Sequence, residues 1–490
     1  MVEDESLCRR RPYHQQKLAL ILASMRDHAA GLRGAGLNVH YYPLDQQQTI
    51  IQALVQLVAR YQPSTLKTFE VSDVHLTRRL RNFCTQHALT WETVGDPGFL
   101  TSSTAFAQHL RGRKSMRMAD FYRHQRQRLG LLVDDELAPT GGQWSFDADN
   151  RHKVTANQSI PNIKPIIHSP NARQVIREVA AAFPQHPGRA DQLWLPTTRK
   201  AALAWLNVFL RERLVGFGTY EDAISTRSST LFHSTLSPVL NIGLITPDEV
   251  VAHTLRHAQS TAVPINDLEG FLRQIIGWRE FMRGVYQHFG ASMRHSNTRG
   301  QTRLLTPHWY NGNTGIAPLD LAISTQQRLG WNHHIDRLMV IANLMNLCEI
   351  APKATFEYFM TNYVDAYDWV MVPNVFGMGL NSDGGVFATK PYICGSNYLL
   401  KMSDIKRGEW CDPVDGLYWR FIEKHRAELE KNPRLSMFVS GVDRLQPDRK
   451  QRIFAAADAF LTRCTRPGPE NECSGASVSF IANNNRGPSE

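Results

Sequence analysis

A chain of 490 residues is too long for one ordinary hydrophobic core, and 42% hydrophobic against 20% charged residues is the balance of a folded, water-soluble protein. No apolar run approaches the ~20 residues of a membrane helix, so no membrane span is expected. Fifty-five basic against 45 acidic residues leave a formal charge of +10, which suits a polyanionic partner such as nucleic acid as well as it suits plain solubility. The start MVEDESLCRRRPYHQQ places acids before its basic residues and has no small-residue cleavage site after an apolar run, so no signal peptide is read. Seven scattered cysteines indicate reduced thiols and the cytoplasm.

In chain order, apolar residues at helical spacing (Leu18, Ile21, Leu22, Met25, Ala29, Leu32) predict a helix over Tyr13–Arg33, stopped by Gly34 and Gly36. Asn38–Leu44 alternates like a strand, Gln47–Tyr61 like a helix, Thr65–Val71 like a strand, Val74–His87 like a basic amphipathic helix and Thr90–Val94 like a short strand. That alternation predicts a doubly wound α/β domain on a parallel sheet over residues 1–130. Such a sheet opens with an apolar strand, yet Met1 stands almost directly before the first helix, so the first strand is expected to be missing. Residues 131–172, with the turn signal Gly141-Gly142 and several prolines after Val154, read as an interdomain linker on the surface. From 173 to 465 the pattern is helical throughout, with helices expected near 173–183, 197–214, 248–259, 266–288, 318–329, 333–348, 353–370, 414–431 and 446–463. The segment 466–490, rich in Gly, Pro, Ser and Asn, reads as a disordered tail.

The stretch Trp331–Met378 sets paired histidines, an arginine, two acids and many aromatics into an apolar helical pattern, and polar groups in such surroundings need partners. Arg337 and one acid of VDAYDW, brought together in a bundle, would form a desolvated pair, which is poor evidence of stability but able to tune a bound electron-rich ring. His334 suits a general acid, though a histidine on such a face is more often a satisfied core residue. Ser234-Thr235-Leu236-Ser237-Pro238 gathers hydroxyls at a helix start, where they cap free N–H groups and where the same amides attract a phosphate. The segment EGFLRQIIGWREF embeds Gln, Arg, Trp and Glu in a strongly apolar helix, a more specific pattern whose plain reading is a structural ion pair. Metal binding is disfavoured, because neither His-x3-His nor Cys-x2-Cys occurs.

Taken together, STLSPVLNIG, LEGFLRQIIGWREFMRG, HHIDRLM, DAYDWVMVPNVFGM and SDGGVFATKPY resemble the photolyase/cryptochrome flavoproteins, and specifically the bacterial branch that includes (6-4) photolyases. GGQWSFDADNR and FYRHQRQRLGLL are similar to that branch too, so the resemblance runs from Met1 to about Leu461. It implies an α/β antenna domain, a long linker and an all-α FAD-binding domain. It implies that Ser234, Thr235, Leu236, Ser237 and Arg279 face FAD phosphates, and that Arg337, Asp365 and Asn374 lie by the flavin ring. It implies further that His334 protonates the lesion and that Tyr392 and Tyr398 line the lesion pocket. The expected chemistry is light-driven reversal of UV pyrimidine photoproducts by an electron from reduced FAD, on a damaged base flipped out of the duplex. Lys390 and Lys401 could meet DNA phosphates or simply be solvated. The expected partner is UV-damaged DNA, with no membrane and a monomeric, cytoplasmic protein.

The sequence departs from the pattern in four places. Relatives carry a [4Fe–4S] cluster on four cysteines; here the first aligns with Pro318, the Cys-x2-Cys pair is absent from KMSDIKRGEW and only Cys411 remains, so no iron–sulfur cluster is expected. Cys348 and Cys394 are read as buried thiols. Tyr310 and Tyr358 stand where relatives have tryptophans for flavin photoreduction, so electrons would run through them or through Trp309 and Trp369. Met371 stands where some relatives have a glutamate near the reactive flavin nitrogen. The missing first strand makes a ribityl-lumazine antenna doubtful. Besides repair, a cryptochrome-type blue-light photoreceptor without repair activity fits the same residues, and a colourless helical DNA-binding protein would fit an empty flavin site.

Overall fold

The computed structural model describes residues 1–113, 115–388, 390–431 and 436–469. Most of the expected tail, from Glu470 onward, lies outside the described residues.

The N-terminal region departs from the doubly wound sheet that its alternation predicts. Two parallel strands form, β1 (Thr65–Phe69) and β2 (Thr90–Val94), in register from Thr65 opposite Thr90 to Phe69 opposite Val94. The helix Val74–Gln86 crosses between them, capped by Asp73, whose carboxylate accepts from the Leu76 amide at 2.7 Å. Asn38–Leu44 forms no strand: Tyr42 makes a single parallel bridge to Val2. Pro43 has no N–H to give a ladder, and the next amide, Leu44, donates to the buried carboxylate of Glu3 at 2.9 Å. Glu3 is itself clamped by Arg26, at 2.6 and 2.9 Å, and by the Tyr41 hydroxyl at 2.5 Å. A parallel sheet is stable when both faces are covered, whereas Phe69 and Val94 are 59% and 43% exposed.

The helix Gln15–Gly34 buries Leu18, Ala19, Leu20, Leu22 and Ala23 in one core with Val175 and Val179 of the helix Pro170–Ala182. Between them in sequence, residues 131–169 have no long element. Their start is fastened by fully buried Arg126, which donates to the carbonyls of Trp144 at 3.0 Å and Gln143 at 3.3 Å.

Beyond Pro170 the structure is helical, as the periodicity predicts, apart from the two-residue antiparallel pairing of Leu304–Leu305 with Thr465–Arg466. No helix among the described residues is long and apolar enough to cross a membrane. Two of the expected helices contain π-helical turns, at Arg273–Arg279 and Asp336–Ala342, and a third such turn, Pro373–Gly379, lies outside every expected helix. Such turns bulge the helix and gather at functional sites.

The helix expected over 353–370 is broken into Pro352–Asn362 and Asp368–Val372. Backbone groups between them find partners elsewhere, which removes the need for helical bonds. The Thr361 carbonyl accepts from the His14 amide at 2.8 Å, and the Val364 amide donates to the Gly330 carbonyl at 2.9 Å. The Ala366 carbonyl accepts from the Lys17 ammonium at 2.5 Å. The resulting turn, residues 363–367, carries Asp365.

Candidate functional site

Two non-glycine residues of the loop 231–237, Leu231 (φ 45°) and Thr235 (φ 56°), adopt left-handed backbone that disfavours side chains. The surrounding structure must hold the loop. From the helix Arg199–Glu212, the Trp205 indole N–H donates to the Thr235 hydroxyl at 3.0 Å. Arg213, just past that helix, donates to the His233 carbonyl at 2.9 Å. Thr235 and Leu236 are buried, while Ser234 and Ser237 are half-buried. Ser237 opens the short helix Ser237–Asn241 with Pro238 in its first turn, a position where proline's missing N–H costs nothing.

From this loop one hydrogen-bond network ties together residues far apart in sequence. The Ser237 hydroxyl donates to Asp365 Oδ2 at 2.6 Å, and Arg337 grips the same carboxylate with two nitrogens at 2.9 and 3.0 Å. Arg337 Nε donates to the Asn332 carbonyl at 2.8 Å, and its guanidinium lies 4.3 Å from the centre of the Tyr363 ring. Asn241 donates to the Asp365 carbonyl at 2.9 Å and accepts from Arg279 Nη1 at 2.6 Å. A two-pronged buried pair of this kind is directional and fixes orientation more than it adds stability.

Arg279 differs from Arg337 in having no carboxylate on its guanidinium among the described residues. Its Nη2 donates to the Gly98 carbonyl at 3.1 Å, its Nε is buried without a partner, and its charge lies between Phe99 (4.7 Å) and Trp369 (4.8 Å). Burial pushes its pKa down to about 10. A desolvated guanidinium with an unused N–H suits an anion with several acceptor oxygens, such as a phosphate. The three π-turns carry Arg279, Arg337 and Asn374, the last of which donates to the Val370 carbonyl at 2.8 Å.

His334 begins the helix that continues through Arg337. Its side chain exposes surface, yet burial and then the Arg337 charge push its pKa down to about 4. The tyrosine loop is pinned to the continuation of the same helix. Fully buried Asn343 accepts from the Cys394 amide at 3.0 Å and donates to the Cys394 carbonyl at 3.2 Å. Tyr392 and Tyr398 flank this clamp, half-buried, and both feel the charges of Asp147 and Arg151 from residues 131–169. Lys390 and Lys401 are exposed.

The four aromatic residues expected to carry electrons separate into two groups. Tyr310, 44% exposed, lies 5.4 Å from the buried Tyr358 ring, and a file of rings continues through Phe359 (5.9 Å) to Tyr363 (5.3 Å), beneath Arg337. Trp309 is fully buried and donates to the Cys464 carbonyl at 2.9 Å, and Trp369 stands apart, edge-on to Phe99 at 5.0 Å. Cys348, Cys394 and Cys411 are buried, and burial raises the pKa of the first two. Pro318 lies in the first turn of the helix Ala317–Leu329.

Sequence reasoning missed Asn241, Lys17, Phe99 and His233. Asn241 had a signal, since it follows Ser237 by four residues and so shares its helix face. The other three come from distant segments, and nothing in the local pattern marks them.

Residues 1–195 match the family model described as deoxyribodipyrimidine photo-lyase-related protein. A (6-4) photolyase of Agrobacterium fabrum is 32% identical over 464 residues, covering 92% of this chain and 91% of that protein. Among solved structures, a class III photolyase of Agrobacterium tumefaciens superposes with a TM-score of 0.53 at 19% identity, over 92% of this chain and 90% of the other. A cryptochrome of Synechocystis gives a TM-score of 0.52 at 14% identity, over 92% and 88%. With one relative this similar across almost its whole length, the chain belongs to the photolyase/cryptochrome family, in its deoxyribodipyrimidine photo-lyase-related branch.

Proposed function

We propose that this protein is a light-driven DNA repair flavoenzyme that reverses UV pyrimidine photoproducts, specifically (6-4) lesions. The observation that carries the reading is the hydrogen-bonded path from Ser237 through Asp365 to Arg337, which lies one turn along the helix that His334 begins. It ties an anion-suited loop, a fixed ion pair and an acid-base side chain into one unit. The orphaned Arg279 Nε fits a phosphate, and the strained loop of Ser234, Thr235, Leu236 and Ser237 offers backbone and hydroxyl groups beside it. These residues would hold FAD, which when bound and reduced supplies the photo-excited electron.

The chain's own residues do the rest. Arg337 and Asp365 fix the orientation of the bound ring, and Asn374 lies on the π-turn closest in sequence to Met371. Tyr392 and Tyr398 present flat rings for a flipped dinucleotide to lie against. His334 donates a proton to the lesion, whose binding must first raise the affinity of the ring for that proton. Tyr358 and Tyr310 form the route by which the site is reduced from the surface, with Trp309 and Trp369 as the other candidates. The protein acts as a cytoplasmic monomer, without an iron–sulfur cluster and with at most weak binding of a ribityl-lumazine antenna.

The test is illumination of the protein, yellow as purified and then reduced, with one oligonucleotide bearing a defined (6-4) lesion and another bearing a cyclobutane dimer. Repair of the first should be lost, by ~100-fold or more, in His334→Ala. Repair of the cyclobutane dimer instead, or repair of neither, would overturn the lesion assignment. Because the cryptochrome superposes as well as the photolyase does, absence of any repair by a yellow protein would favour the photoreceptor reading.

A further inference from the structure

The segment that enters the N-terminal helix Gln15–Gly34 is stitched in steps to the helix Pro352–Asn362 and to the turn beyond it. Arg11 grips Glu357 through two nitrogens, at 2.5 and 2.9 Å, and the His14 amide donates to the Thr361 carbonyl. Lys17, one turn further on, reaches past the end of that helix. Its ammonium donates to the Ala366 carbonyl at 2.5 Å and to the Met360 carbonyl at 3.4 Å. One side chain thus bridges the last turn of the helix and the turn that carries Asp365.

Lys17 is only 4% exposed, and among the described residues no carboxylate pairs with it directly. The two acids whose charges reach it are already engaged, Asp365 by Arg337 and Asp368 by Arg294. The ammonium is enclosed instead by the two carbonyl oxygens and by two ring faces, Tyr13 at 4.7 Å and Tyr367 at 5.2 Å. All four groups are electron-rich, so the enclosure is built for a cation that would be costly to bury without them. The remaining charged or titratable groups that face it are Arg11 and His14 of its own segment. Burial draws its pKa down to about 7, with Asp365 and Asp368 opposing the fall and Arg11 adding to it. Since Arg337 and Asp365 cancel, as do Arg294 and Asp368, the charge of Lys17 is the one left over beside the turn.

We propose that Lys17 is a positioning residue for the flavin site: it clamps the turn 363–367 so that Asp365 meets Arg337 and Ser237, and its uncompensated charge favours the reduced, negatively charged flavin. The inference rests on the flavin reading above and goes beyond it. It makes the N-terminal helix part of what sets the redox balance of a cofactor whose other expected contacts all come from residues beyond 230. Lys17 acts through the backbone of the turn and through its field, and takes no part in the reaction at the lesion.

Three variants separate the clamp from the charge. Lys17→Met removes both, Lys17→Gln keeps an amide donor without the charge, and Lys17→Arg keeps donor and charge. Hydrogen exchange of the protein as purified should quicken about tenfold at the amides of residues 364–371 in Lys17→Met, and less in Lys17→Gln. In a redox titration of the flavin-loaded protein below about pH 7, the reduced-to-oxidised ratio at a fixed solution potential should fall about tenfold in the Met and Gln variants and stay near the wild-type value in Lys17→Arg. The wild type carries the charge below that pH and loses it above, so its titration should converge on that of Lys17→Gln as the pH rises. A lysine with a structural role alone would leave a gap that does not change with pH. If Lys17→Met does not fold, Lys17→Gln supplies both measurements. Unchanged exchange in the turn, or a gap that persists at high pH, overturns the proposal. A protein that shows both effects but leaves the (6-4) lesion intact counts against the lesion reading alone. A colourless protein counts against the flavin reading, and the exchange rates then decide the clamp.

Discussion

The small N-terminal sheet and the helical chamber around Asp365 are built by opposite means. In the sheet, two strands keep an in-register ladder while Phe69 and Val94 remain exposed, so each side chain contributes little. Around Asp365, Ser237, Asn241, Arg279 and Arg337 are drawn from three separate stretches and nearly every polar atom has a fixed partner. Where apolar surface is left open, substitution is cheap. Where charges are taken out of water and matched, losing one partner strands the other.

Three substitutions sharpen or break this contrast. The largest effect is expected for Arg337→Ala, which leaves a buried carboxylate with Ser237 as its only side-chain partner among the described residues. It should destabilise the protein by roughly 3–5 kcal/mol in chemical denaturation and abolish the yellow colour. The double variant Arg337→Ala/Asp365→Ala should recover part of the stability but not the colour. Next comes Asn343→Ala, which frees both backbone groups of buried Cys394 and should cost about 1–3 kcal/mol. Hydrogen exchange should quicken in the Tyr392–Tyr398 segment before the rest of the chain. The smallest is Phe69→Thr, at a 59% exposed position on β1, which should change stability by no more than about 0.5 kcal/mol and leave repair untouched. A cost comparable to Asn343→Ala there would mean the sheet face is covered in solution.

Much of the helical region was legible because its signal is local. Apolar spacing at 3.6 residues gives the helices that bury Leu206, Phe209, Ile276 and Val340, whatever they pack against. The N-terminal alternation was legible only in part: Thr65–Phe69 and Thr90–Val94 became strands, but Asn38–Leu44 did not. Pro43 and the competing carboxylate of Glu3 removed its ladder bonds, and the second of these depends on a residue some forty positions away. The single helix expected over 353–370 failed for a related reason, since His14, Gly330 and Lys17 take the backbone groups that would have continued it.

The motifs by themselves determined the fold family, the identity of the arginine and acid in the central stretch, and His334 as the acid-base candidate, because residue type and short spacing are written in the chain. Tertiary structure alone decided that Asp365 sits in a turn rather than on a helix, that Arg279 is left without a carboxylate, and that His233 lies against His333. Each of these depends on which distant group reaches a buried polar atom first. That competition is settled by three-dimensional packing in a medium where unpaired charge is costly, and it leaves no periodic trace in the sequence.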